Sequence, residues 1–183
     1  MKPEPDTLAP TATATQILRD RARKLARPAV QAPAADTMLE VLEFRLGPER
    51  FAVETRQVRE VYPLKDLTPL PGTPPFVQGI VNVRGHILPV YDLKKFFELP
   101  DAGLTDLHRI IIVRGHGLEL GLLSDLTVGV RLLPVDSLQP SLPTLTGIRG
   151  DYLKGLTADR LAVLDLDRLL TDPKIIIHDE AET

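Results

Sequence analysis

The sequence predicts a mainly β protein made of two small, related antiparallel barrels, each with about five strands and a short closing helix. Three observations carry this reading. Seventeen prolines and twelve glycines divide the 183 residues into short runs, too short for long helices. The runs between them are rich in Val, Ile and Leu and are bounded by turn residues. The chain also repeats itself once. VYDLKKFF at 90–97 matches VLDLDRLL at 163–170, and FAVETRQVREV at 51–61 aligns with LELGLLSDLTVGV at 118–130, which sets Val61 against Val130. Both offsets are about 70 residues, and two copies are too few for a solenoid.

The elements follow in order. Residues 1–37 form a leader. Its first thirteen residues are rich in Pro, Thr and Ala and are expected to be disordered. TQILRDRARKLARP then places Ile17, Leu18, Ala22, Leu25 and Ala26 on one face of a helix over about 15–27, with Thr15 as N-cap and Pro28 as stop. This helix could lie on its own domain or dock a partner. Membrane-surface binding is the weakest reading, because the apolar face is narrow and lacks aromatics. Residues 1–38 hold six basic and four acidic groups, so the remainder of the chain carries the acidic excess behind the net −3.

The main domain is expected over 38–172, with a tail at 173–183. MLEVLEFRL and FAVE flank the turn Gly47–Arg50 as a hairpin. QVREVYPL is a strand or a helical turn, and LTPLPGTPP is a loop. GIVNVRGHILPVYDL gives two strands around a turn. Asp92 caps the short helix that Pro100 closes. HRIIIVRG and LELGLLSD form a second hairpin, LTVGVRLL a further strand, and TLTGIRGDYLKGLT with RLAVLDL two or three more. Asp165 then caps DLDRLL.

Composition and motifs exclude most chemistry. Without cysteine there is no disulfide or thiol site. The mild acidity argues against a nucleic-acid binder. No apolar run approaches the ~20 residues of a membrane helix, and MKPEPDT does not open a signal peptide, so a cytoplasmic protein is expected. His86, His108, His116 and His178 have no ligand-like spacing, and neither HExxH nor GxSxG occurs. Arg84-Gly85 precedes a strand instead of opening a helix, which disfavours a phosphate loop. The RGD at 149–151 is too short to signify adhesion. No catalytic residue, metal or cofactor is expected. An interaction protein with an apolar groove remains.

Residues 74–93, PPFVQGIVNVRGHILPVYDL, resemble the signature of the CheW family of chemotaxis coupling proteins through Phe76, Gly79, Asn82, Arg84, Gly85, Pro89, Asp92 and Leu93. FAVETRQVREV upstream, and GLLSDLTVGV with YLKGL and LAVLDLDRLL downstream, extend the resemblance over about 38–172. It implies two five-stranded SH3-like barrels that meet around a shared hydrophobic core, without enzymatic activity. It implies an adaptor between the cytoplasmic tips of chemoreceptors and the regulatory domain of a CheA-type histidine kinase, located at membrane-associated receptor arrays. By motif position, the receptor groove would take Glu60, Val61, Asn82, Arg84, Ile87, Ile110 and Val130. Val58 and Gly79 would meet the kinase. Gln139, Pro140 and Leu142, with Ser141 between them, would make a second, ring-forming contact with a CheW- or CheA-type partner. A paralogue that binds the kinase in a non-chemotaxis pathway, such as surface motility or gene regulation, is the alternative.

Overall fold

The computed structural model describes residues 37–100, 108–140 and 148–175. The expected leader helix, Ser141, Leu142 and the tail beyond 175 lie outside the described residues. The first half of the domain contains β1 (Met38–Leu46), β2 (Glu49–Glu54), β3 (Val58–Pro63), β4 (Val77–Val83), β5 (His86–Tyr91) and helix α1 (Leu93–Phe96). The second half repeats the order with β6 (Arg109–Gly115), β7 (Leu118–Ser124), β8 (Leu126–Pro134), β9 (Leu153–Leu156), β10 (Ala162–Leu164) and helix α2 (Leu166–Thr171). QVREVYPL resolves into a 3-10 turn, Thr55–Gln57, followed by strand β3.

The strands form two five-stranded sheets, ordered β8-β1-β2-β10-β9 and β3-β6-β7-β5-β4. Repeats and sheets therefore do not coincide. Each sheet combines the opening hairpin of one half with the last three strands of the other. This exchange ties the halves together, because neither repeat can complete a sheet alone. The repeat survives in detail. A bulge places Arg59 of β3 outside the ladder between Val58 and Glu60, and another places Val128 of β8 outside it between Thr127 and Gly129. These positions are equivalent when Val61 is set against Val130.

Each sheet curls toward a barrel and is joined across its open side by one bridge, Thr68 to Ile80 in one and Gln139 to Leu156 in the other. Two glycines make those closures possible. A Cβ on Gly79, whose φ is +143°, would lie 2.2 Å from the Thr68 carbonyl oxygen, and one on Gly155 would lie 2.7 Å from that of Gln139.

Strand parity assigns the cores. On β6, Ile110 and Ile112 point into the interior of the second sheet with Val81, Val83, Leu88, Val90 and Leu123. Ile111 and Val113 point the other way, into the core that both sheets share with α1 and α2. That shared core holds Phe44, Phe51, Phe96, Phe97 and Tyr152, whose rings pack at centroid distances of 5.3–6.1 Å.

The helices are anchored by side chains as the sequence implies. Asp92 Oδ1 accepts from the Lys94 N–H at 2.9 Å and Asp165 Oδ1 from the Arg168 N–H at 3.1 Å. Two residues beyond each cap sits a charged residue that makes the same kind of three-way link. Lys94 Nζ donates to Asp125 Oδ1 at 2.8 Å, His108 Nε2 lies 2.8 Å from the same oxygen, and Asp125 Oδ2 accepts from the Gly47 N–H. The equivalent Asp167 accepts from Gln57 Nε2 at 2.9 Å and lies 3.0 Å from His116 Nε2. In both halves a closing helix is thus pinned to a hairpin turn and to the junction between second and third strands. The charge is on the helix as a cation in one half and as an anion in the other.

Candidate protein-docking surface

The site begins at the β4–β5 turn. Strands that twist right-handedly are joined best by two residues with positive φ. Arg84 and Gly85 have φ of +53° and +88°. Asn82 Oδ1 accepts the Gly85 N–H at 2.8 Å and holds this turn. Asn82 therefore acts on the turn that presents Arg84. The Arg84 guanidinium lies 3.0 Å from Glu60 Oε2, with its side chain 72% exposed. This pair ties the edge strand β3 to the hairpin turn. Arg59 also approaches Glu60, at 3.9 Å, and donates to Glu119 at 2.8 Å.

Near the ion pair, and at the equivalent edge of the other sheet, lie apolar side chains that the fold leaves uncovered. Val61 stands opposite Ile111 and Val130 opposite Leu42, so both share the face of shared-core residues while sitting on edge strands. Val61 is 38% exposed and Val130 60%. Ile87, paired with Asn82 just past the turn, is 67% exposed. Three of the expected groove residues thus carry accessible side chains (Val61, Arg84 and Val130), and Ile87 adds a fourth, while the Glu60 side chain, 19% exposed, stands opposite Ile112 on the other face of β3.

Ile110 does not belong with them. It is fully buried inside the second sheet, because it is one residue out of phase with Ile111. Two kinase candidates also lie inward. Gly79 is buried at the barrel closure, and Val58 is half-buried against the shared core. Gln139 and Pro140 are exposed, and the Gln139 backbone is bonded in both directions to Leu156.

Sequence reasoning missed most of β8. Leu126, Val128, Val130 and Leu132 are all more than half exposed and recur at every second residue. Only Val130 was expected. The signal was present, since the alternating residues Thr127, Gly129 and Arg131 could not build a core. Arg131 instead reaches Glu43 at 3.2 Å and Asp159 at 3.4 Å, and Arg50 reaches the same two carboxylates at 2.8 and 3.2 Å. The Arg50 hydrogen bond, aided by Arg131 and opposed by burial, holds the Glu43 carboxyl below the usual carboxylate range. This closed ionic ring fills one end of the first sheet, where the second sheet has Ile112 opposite Glu60.

Among the described residues no group of three His, Cys, Asp or Glu side chains converges as a metal site would require. No described helix is long and apolar enough to cross a membrane. The arrangement offers exposed apolar side chains on the edge strands of both sheets, with the Glu60–Arg84 pair next to Val61, suited to binding a protein.

Comparison with known proteins agrees with this architecture. The family model for the CheW-like domain matches residues 40–174. The chain is 28% identical over 147 residues to the chemotaxis protein CheW of Treponema pallidum, covering 76% of this chain and 86% of that one. It is 30% identical over 147 residues to Protein PilI of Pseudomonas aeruginosa, covering 79% and 83%. The crystal structure of the scaffolding protein TtCheW from Thermoanaerobacter tengcongensis superposes with a TM-score of 0.66 at 32% identity, covering 74% of this chain and 90% of that one. With ten strands in the expected order, two sheets on one core and a family match across nearly all of them, this chain belongs to the CheW-like domain family.

Proposed function

We propose that this protein is a non-enzymatic adaptor that joins the cytoplasmic tips of chemoreceptors to a CheA-type histidine kinase. One observation carries the reading. Val61 and Val130, at equivalent places in the two repeats, are exposed on the edge strands of both sheets and continue the shared apolar core outward. A receptor tip, as a helical hairpin, has apolar ridges that such a surface would bury. The Glu60–Arg84 pair at its border would set the register of polar groups on the partner. Ile87 extends the surface past the turn. The adaptor would act by holding two partners together, which raises their effective concentration and passes receptor state to the kinase. The kinase side falls to the exposed Gln139 and Pro140 and to Val58 where β3 leaves the core, with Gly79 shaping that region through the barrel closure. This reading places the protein at receptor arrays in the cytoplasm.

Similarity to Protein PilI as well as to proteins named for chemotaxis favours a second reading. In it, the protein binds a CheA-type kinase in a pathway other than chemotaxis. Purified protein is titrated separately with a chemoreceptor cytoplasmic fragment and with the regulatory domain of CheA. Binding to both supports the first reading. Binding to the kinase domain alone removes the receptor-coupling role and supports the second.

A further inference from the structure

A second recess lies at the opposite edge of the first sheet from β8. It is a cleft of about 570 Å³, within the size range of binding pockets. Its floor is apolar, made by Phe51, Leu153, Leu156 and Ala162. Leu153 and Ala162 are only partly covered and pack on the shared core. The rim is charged, and its charges are not alike. Arg50 and Asp159 belong to the closed ring with Glu43 and Arg131, and Glu49 is engaged with a partner of its own. Arg160 is the remaining charge at the mouth, and it makes no ion pair among the described residues.

The loop that holds Arg160 is built to keep it there. Thr157 and Leu161 exchange hydrogen bonds, with the Thr157 N–H on the Leu161 carbonyl at 3.0 Å and the Leu161 N–H on Thr157 Oγ1 at 3.0 Å. The Arg160 N–H closes the turn on the Thr157 carbonyl at 3.0 Å, with Arg160 at φ +61°. A non-glycine residue in that conformation is uncommon and costs free energy. An unpaired cation on a pinned loop above an apolar floor complements a ligand with an apolar body and a carboxylate.

We infer that this cleft docks a protein segment in which an aliphatic side chain stands next to an acidic one, the aliphatic group on Phe51, Leu156 and Ala162 and the carboxylate on Arg160. It is separate from the exposed edges at Val61 and Val130 and does not rest on them. The probe is acetyl-Gly-Leu-Leu-Asp-Glu-Gly-amide, titrated into isotope-labelled full-length protein and followed by amide chemical shifts. The control is the same peptide with Asn-Gln in place of Asp-Glu. Expected shifts cluster at Phe51, Leu153, Leu156, Arg160 and Ala162. The amidated control should bind roughly tenfold more weakly, as should the acidic peptide to Arg160→Asn, while Arg160→Lys should keep most of the affinity. Asparagine tolerates the left-handed backbone, so that variant keeps the loop. The inference is overturned if the shifts appear at Val61, Ile87 and Val130 instead, if acidic and amidated peptides bind equally, or if millimolar peptide moves nothing. It is overturned equally if raising the protein concentration alone shifts the cleft residues, which would make a second copy the occupant.

Discussion

Lys94 is a nearly fully buried charge, and replacing it or its partner should have unequal effects. The Lys94 side chain is 2% exposed and that of Asp125 is 26%. Breaking a buried pair costs about 3–5 kcal/mol when the remaining charge has no other partner. In Lys94→Met, Asp125 keeps the Gly47 N–H, the nearby His108 ring and partial access to water. Its loss should be about 1–2 kcal/mol. In Asp125→Asn, the Lys94 ammonium keeps its other contacts but loses its carboxylate in a nearly dry site, and the Gly47 turn and His108 lose a charged partner at the same time. That loss should be larger, about 2–4 kcal/mol. Urea unfolding at pH 7, with the slope checked for constancy, measures both. Equal losses, or a larger loss for Lys94→Met, would refute the assignment of Asp125 as the shared anchor. The pH dependence has a definite sign. Burial pushes the Asp125 carboxyl up, but hydrogen bonds from Lys94 and Gly47 and the charges of Lys94 and His108 outweigh it and hold the pKa down. A carboxyl lower in the folded than in the unfolded chain stabilises fully above about pH 5 and loses that contribution as pH falls below about 4. Asp125→Asn should therefore flatten the acid limb of the stability profile.

Other outcomes follow from the same geometry. Gly79→Ala should cost about 3 kcal/mol or more by thermal melting, since its Cβ would collide with the Thr68 carbonyl, whereas Gly85→Ala, open at φ +88°, should cost about 1 kcal/mol. Glu43→Gln should also weaken the loss of stability on acidification, because the folded Glu43 carboxyl lies below its unfolded value. Arg84→Asp should change the unfolding free energy by no more than about 1 kcal/mol, since the Arg84 side chain of its pair with Glu60 is 72% exposed, yet weaken receptor-coupled control of the kinase in a reconstituted phosphorylation assay.

The order of strands was legible because turn residues separate nearly every pair, and because Asp92 and Asp165 announce both closing helices. The exchange of strands between sheets was not. Alternation along one strand specifies which face is buried but not which neighbour supplies the next strand. Ile110 shows the same limit within a strand. In the run Arg109–Val113 every interior residue is apolar, so no polar residue marks the phase, and both faces are in fact buried. On β8 the phase was marked by Thr127, Gly129 and Arg131, but apolar residues are ordinarily assigned inward. Here Arg131 joins the ionic ring on the interior side, Leu133 packs inward, and Val130 and Leu132 face out. Gly79 shows a different confusion. A glycine inside a signature motif could serve contact or geometry, and only the closeness of the Thr68 carbonyl decides for geometry.

The central claim is that the edge surface around Val61 and Val130 docks a receptor tip. The direct measurement is calorimetric titration of a chemoreceptor cytoplasmic fragment into the wild-type protein and into Val130→Asp, with urea unfolding of each. Because Val130 is 60% exposed, its unfolding free energy should change by no more than about 0.5 kcal/mol. The account predicts at least roughly tenfold weaker receptor binding for Val130→Asp, with binding to the CheA regulatory domain retained. Unchanged receptor binding in a stably folded Val130→Asp protein would contradict it.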